Sequence, residues 1–254
     1  MRKKDNNIVL VVVAHPDDAE ISMGMRIYDH IKNGDAVYVH CFSKGGGKKN
    51  DEKLKKERVK EALLAAKILN ITHYDFSDFP DTLFERCRSE IRGEVERLVR
   101  KLQPDIVYTH FYKDSHLDHE IISKEVLVGA RSVPNLYYFR SPYSRNFIPQ
   151  IFFFGDDKYM NRKLRALKCF RSQKLVDEKF LKTFSSIMYF EYLHPHAVFN
   201  LKLSTRNKLN KPLYVEMFVP EREFILASHM PKLRGVRKST FFLQEKILYP
   251  LQKE

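Results

Sequence analysis

The feature that most constrains this chain is the run Ile8–Ala14, IVLVVVA, in which seven apolar residues follow one another without a polar interruption. A strand with one solvated face alternates apolar and polar positions, whereas an unbroken run suits a strand buried on both faces, as in the middle of a parallel sheet. The segments that follow continue that theme. Asp18–Lys32 has helical spacing and stops at Asn33-Gly34, and Asp35–Phe42 reads as a second strand. Asp51–Leu69 is helical, Thr72–Phe76 a short strand, and Leu83–Leu102 a helix broken by Pro104-Asp105. Asp105–His110, a helix from Asp118 to about Ala130, and the strand Leu136–Arg140 complete the alternation.

Strand–helix alternation predicts an α/β, Rossmann-like three-layer sandwich with a mostly parallel sheet, for which we propose the order 3-2-1-4-5. Beyond Pro142 the pattern is less regular. Ile151–Phe154 and Leu213–Val219 read as strands and Tyr159–Leu181 as a basic helix, together taken as a C-terminal cap folded against the same sheet. A length of 254 residues suits one large domain with a small appendage. Hydrophobic residues at 43% and charged residues at 30% exclude a disordered or fibrous chain.

Cys41, Cys87 and Cys169 are too widely spaced for a disulfide framework or a CxxC metal pair, which favours a reducing, cytoplasmic setting. Arg2-Lys3-Lys4 ahead of Ile8–Ala14 mimics a signal peptide, but the apolar run is short and leads into His15-Pro16-Asp17-Asp18 with no cleavage site. No apolar stretch approaches the ~20 residues of a spanning helix. The net charge of +13 favours anionic partners such as phosphorylated small molecules, or is ordinary solubilising charge.

Two polar clusters fall where a parallel sheet concentrates its chemistry, beyond the carboxyl ends of strands. The first, Ala14-His15-Pro16-Asp17-Asp18-Ala19-Glu20, follows the first strand; the second, His110 to His119, follows the fourth. With strand four beside strand one, the clusters face each other. Imidazoles and carboxylates are ligands of a catalytic zinc, which keeps three protein ligands and an open position. Adjacent carboxylates do not readily grip one ion together, so one can bind while its neighbour takes a proton from water. HPDD alone would more often be a turn and helix cap. Three histidines and two aspartates within ten residues are harder to explain structurally.

At these residues the chain resembles the LmbE / PIG-L family of zinc-dependent N-deacetylases, which pairs AHPDDxE after the first strand with HxDH after the fourth. Here these are Ala14–Glu20 and His116-Leu117-Asp118-His119. Arg58 and Glu61 resemble the family's RxxE, Phe79-Pro80-Asp81 its PD turn, Ser172-Gln173 its SQ, and Tyr214–Phe218 its YxExF strand, so the resemblance reaches about residue 220. It implies a deacetylase domain over 1–220 and an extension over 221–254. It implies that His15, Asp18 and His119 hold Zn2+ and that Asp17 is the general base. His116 would act as general acid or stabilise the oxyanion, with Asp118 orienting and charging it. Glu20 would support the site through the first helix. Arg58 would reach substrate, unless it and Glu61 are a surface pair at i, i+3. Ser22 and Met25 replace the family's glycines and Phe170 a histidine, departures that bear on the substrate pocket.

The loop Ser43–Lys49, with three glycines between lysines, lacks the spacing of a P-loop. Its free N–H groups and Lys44 make it either a phosphate contact or a mobile loop. The expected reaction is hydrolysis of an N-acetyl group on an amino sugar, N-acetylglucosamine or a nucleotide- or phosphate-linked conjugate, releasing acetate. The alternative is a non-catalytic Rossmann-type sugar- or nucleotide-binding module, against which stands the lack of GxGxxG after the first strand. Residues 158–182 carry nine basic and two acidic residues, a net +7, yet no nucleic-acid motif accompanies them and no nucleic-acid partner is expected. The sequence leaves a homo-oligomer open.

Overall fold

Along β1 (Ile8–Val13), Val9, Val11 and Val13 point into one buried cluster while Leu10 and Val12 point into another, so the unbroken apolar run has a core on either side. The computed structural model describes residues 6–173 and 214–223, which belong to one unit ending at Glu223. After β1 come α1 (Asp18–Lys32), β2 (Ala36–Cys41), α2 (Glu52–Leu69) and β3 (His73–Phe76). A 3-10 turn, Phe84–Cys87, leads into α3 (Arg88–Leu102), β4 (Ile106–His110), α4 (Leu117–Gly129) and β5 (Asn135–Phe139). Then follow β6 (Ile151–Gly155), α5 (Asp157–Leu167) and β7 (Tyr214–Arg222).

The strands form one sheet in the order β3-β2-β1-β4-β5-β7-β6, parallel from β3 to β5 as the alternation predicts. Helices α1, α2 and α5 cover one face, and α3 and α4 the other. The β1–β4 pairing, Val9 opposite Ile106 and Val11 opposite Tyr108, sets the two motif-bearing strand ends side by side.

The strand segments past Pro142, expected as part of a cap folded against the sheet, instead join it as strands. β7 runs antiparallel between β5 and β6, so both extend the sheet itself. The basic helix expected over Tyr159–Leu181 ends at Leu167, and residues 174–181 lie outside the described residues. Its end has a physical cause. Buried Glu61 of α2 accepts from the Ser172 N–H at 2.8 Å and from its hydroxyl at 2.6 Å, drawing the chain out of helical register. The helix expected over Leu83–Leu102 is likewise interrupted, since Phe84–Cys87 is a 3-10 turn. Beyond Glu223, the proposed extension lies outside the described residues.

α1 carries a break at Met23 (φ −144°, ψ 27°). Glu216 of β7 restores the exposed amides, accepting from Met25 N–H at 2.9 Å and Arg26 N–H at 2.8 Å, and Lys163 neutralises it at 2.8 Å. Gly24 sits against the Lys163 chain, where an added Cβ would come within 3.0 Å of Cγ.

Candidate metal centre

The first motif leaves β1 through Ala14 and enters α1 by a turn in which Asp17 adopts φ +100°, a left-handed conformation uncommon for a residue with a side chain. Asp17 occupies the N-cap position, yet its side chain caps nothing. Helix capping therefore does not explain this aspartate. The Asp18 side chain is engaged: Oδ2 accepts the His15 N–H at 2.7 Å, and Oδ1 stands 3.3 Å from His119 Nε2.

Four imidazoles converge there. The His110 and His119 rings stack at 3.9 Å between centroids, His116 and His119 at 4.6 Å, and His15 meets His116 at 4.6 Å. His15 Nδ1 is 3.6 Å from Asp18 Oδ2, and His15 and His119 offer ligand atoms within 4.8 Å of each other. Tetrahedral coordination at ~2.1 Å places ligand atoms roughly 3.4 Å apart. The His15 spacing to Asp18 Oδ2 and the His119 spacing to Asp18 Oδ1 are each near that value, and Asp18 links a His15–His116–His119 group to a His110–His119 one. The donors also suit it electrostatically. Burial works against charge on His15, but Asp118, Asp18 and Asp81 outweigh it and raise its pKa well above the usual value. Burial is likewise outweighed at His119, where Asp18 and Asp114 push the pKa up to about 9. Asp18 is held well below the carboxylate range because His119 and His110 outweigh its burial. Two imidazoles drawn toward their charged forms by surrounding carboxylates are a setting in which a divalent cation can take the place of the protons.

Asp17 shows the opposite tendency. Burial, then the charges of Asp18 and Glu20, raise its pKa well above that of an ordinary carboxylate, which makes it a better proton acceptor than one. Burial and the neighbouring His15 and His119 lower the pKa of His116. Glu20 is fully buried with neither carboxylate oxygen hydrogen-bonded, and burial lifts it to about 8.

No hydrogen bond joins Asp118 to His116 among the described residues, although the charge of Asp118 works to raise the pKa of that imidazole against its burial. Asp118 hydrogen-bonds His15 Nε2 at 3.1 Å, and its remaining lone pairs accept from Thr82 and Phe84 N–H groups at 2.7 and 3.2 Å. The family resemblance implied a pairing with His116, and the hydrogen bonds of Asp118 go instead to His15 and to the Thr82 and Phe84 amides. Arg58 and Glu61 are not a surface pair either. Arg58 donates to Gln173 Oε1 at 3.2 Å and lies 3.9 Å from Asp81, and Gln173 in turn donates to the Pro16 carbonyl at 3.3 Å. Lys44 stands 3.5 Å from Asp78. In its loop, Gly45 N–H donates to Ser43 Oγ and Gly47 N–H to Asp81, so these amides serve the loop's own structure.

Three site neighbours carried no role in the sequence reading. Asp81 lies 3.2 Å from His15 Nε2, and the PD turn was its available signal. Asp114 faces His119 Nδ1 at 3.3 Å and bonds the hydroxyls of Ser141 and Ser144. His110 is fully buried with Nε2 accepting the Ala14 N–H at 3.2 Å, so its lone pair is engaged in holding the motif backbone.

Comparison with known proteins places these features in context. Residues 10–128 match the family described as PIG-L, GlcNAc-PI de-N-acetylase. A protein of Escherichia coli (strain K12) named Uncharacterized deacetylase YaiS is 26% identical over 170 residues, 65% of this chain and 90% of its own. Among solved structures, GalB, the 4-carboxy-2-hydroxymuconate hydratase from Pseudomonas putida KT2440, superposes with TM-score 0.69 at 21% identity, covering 87% of this chain and 98% of that one. N,N'-diacetylchitobiose deacetylase from Pyrococcus horikoshii gives 0.63 at 24%, covering 85% and 84%.

Proposed function

Residues 10–128 of the chain belong to the PIG-L (LmbE-like) family, and from that premise we propose that the protein is a zinc-dependent N-deacetylase releasing acetate from an N-acetylated amino sugar or its conjugate. The observation that carries the reading is the spacing of His15, Asp18 and His119. The fold by itself does not choose the reaction, since a hydratase shares it. The family match and the deacetylase relative support hydrolysis over a binding module.

His15, Asp18 and His119 would hold the ion. When bound, it supplies Lewis acidity, polarising a carbonyl oxygen and making water acidic near neutral pH. Asp17, held at the motif turn by its left-handed backbone and with its side chain unused as a helix cap, accepts the proton of the attacking water. His116 donates a hydrogen bond to the developing oxyanion, and the proton taken up by Asp17 returns to the leaving amine, directly or by way of His116. Arg58, through Gln173 and the Pro16 carbonyl, steadies the loop that presents Asp17. No helix among the described residues is long and apolar enough to cross a membrane. We place the protein in the cytoplasm on its cysteine usage.

Acetate release from a panel of N-acetylated sugars, sugar nucleotides and lipid-linked sugars, measured before and after chelation and zinc re-addition, tests the reading. Acetate appears only in the metal-loaded protein. Equal turnover in thoroughly metal-free protein, or no acetate from any panel member, overturns it.

A further inference from the structure

The histidine that opens the first motif is gripped from its far side. His15 Nε2 hydrogen-bonds Asp118 Oδ2 at 3.1 Å and lies 3.2 Å from Asp81 Oδ1, while Nδ1 faces Asp18 at 3.6 Å. An imidazole held as N–H on one nitrogen by a carboxylate presents the lone pair of the other, with its ring direction fixed. Phe84 stacks on the same ring at 5.9 Å between centroids, limiting its rotation.

Asp118 is itself fixed. It is 1% exposed and accepts two backbone N–H groups, from Thr82 and Phe84. Thr82 delivers its amide from φ +68°, a conformation that a β-branched residue rarely adopts. Such strain persists where surrounding contacts impose it. The strained turn also carries Asp81, so one segment, residues 80–84, supplies the amides that fix Asp118 and the second carboxylate on His15. No hydrogen bond joins Asp118 to His116, whose Nδ1 has no hydrogen-bond partner among the described residues.

We propose that Asp118, with Asp81 and the 80–84 turn, is a positioning residue for His15: it holds the imidazole as the Nε2–H tautomer with Nδ1 turned to the metal, and it is not a relay for His116. The inference rests on the metal centre proposed above. It assigns the aspartate of the second motif to the histidine of the first, across the β1/β4 boundary.

Zinc affinity of the full-length chain, measured by competition with a chromophoric chelator, separates the roles. Asp118→Asn lowers zinc affinity about 10–100-fold, and Asp81→Asn lowers it in the same direction but less. His116→Ala leaves it unchanged. Thr82→Gly keeps the amide and relieves the strain, so its affinity stays at the wild-type level. In the zinc-loaded wild type, nitrogen NMR finds the His15 proton on Nε2, a readout that stands even if Asp118→Asn fails to fold. Wild-type zinc affinity in both aspartate variants, with turnover alone reduced, overturns the proposal in favour of a relay, as does a proton found on Nδ1. A wild-type chain that binds no zinc removes the functional reading as well, so the two failures are distinguishable.

Discussion

At the residue scale, two adjacent aspartates that composition treats as equals are separated by one backbone angle. Asp17 at φ +100° leaves the helix cap unfilled, and Asp18 turns back onto His15 and His119. Asparagine tolerates the left-handed region, so Asp17→Asn keeps the turn and the zinc while turnover falls ~10²–10⁴-fold, the usual cost of losing a general base. Asp18→Ala loses zinc and activity together; bound zinc and turnover measured on both variants check the pair. A second prediction concerns His40, buried at the end of β2, where Nε2 meets Ser77 Oγ at 2.8 Å. Burial lowers its pKa to about 4, against ~6.5 for an unfolded imidazole. The unfolded chain takes up a proton that the fold refuses, so His40 costs stability as pH falls from ~6.5 toward 4 and nothing above that window. His40→Gln flattens the loss of Tm between pH 6.5 and 4.5, as scans of both proteins would show; parallel curves would contradict it. The motif residues themselves were legible because their chemistry is local. The partner of Asp118 was not, because it is 103 positions away.

At the element scale, the break in α1 explains a strand residue that resemblance could match but not interpret. Glu216 caps the second half of α1, and Lys163 from α5 balances its charge, both side chains being 1% exposed. Removing one partner of a buried pair strands the other charge at ~3–5 kcal/mol. Lys163→Met is therefore expected to destabilise strongly, and the Lys163→Met/Glu216→Gln double variant to lose less than the two singles together. Chemical denaturation of the cycle measures the difference. The loop after β2 is equally constrained: Gly45 has φ +75°, and an added Cβ would meet the Arg58 side chain at 2.7 Å. Gly45→Ala is expected to displace Arg58 from Asp81 and Gln173, lowering kcat with little change in zinc content. Helix and strand positions up to β5 followed from periodicity. The 3-10 interruption at Phe84–Cys87 did not, because its amides are set by the distant Asp118.

At the scale of the molecule, loops after β1, β3 and β4 and the turn after α5 meet at one end of the sheet, each supplying part of the site. The chain's net charge is +13, and Lys48, Lys49, Lys158 and Arg165 are exposed. If that field steers an anionic substrate, kcat/KM for a nucleotide-linked sugar falls with salt as the screening length shrinks from ~10 Å at 0.1 M to ~3 Å at 1 M. The free sugar responds far less. Equal efficiency and equal salt response for both would remove the anionic preference and leave the hydrolysis untouched.

By itself, the sequence determined that β1 is buried on both faces, that a parallel sheet sets it beside β4, and that two clusters of imidazole and carboxylate crown those strands. Periodicity and side-chain chemistry are properties of short stretches, and they survive without coordinates. Only the tertiary structure decided which nitrogen of His15 faces Asp118, that Asp81 and Asp114 stand beside the two histidines, and that Glu216 caps α1 from 191 positions away. Those choices are made where a buried polar group must find a partner, and the partner comes from whichever segment the packing brings within hydrogen-bond reach.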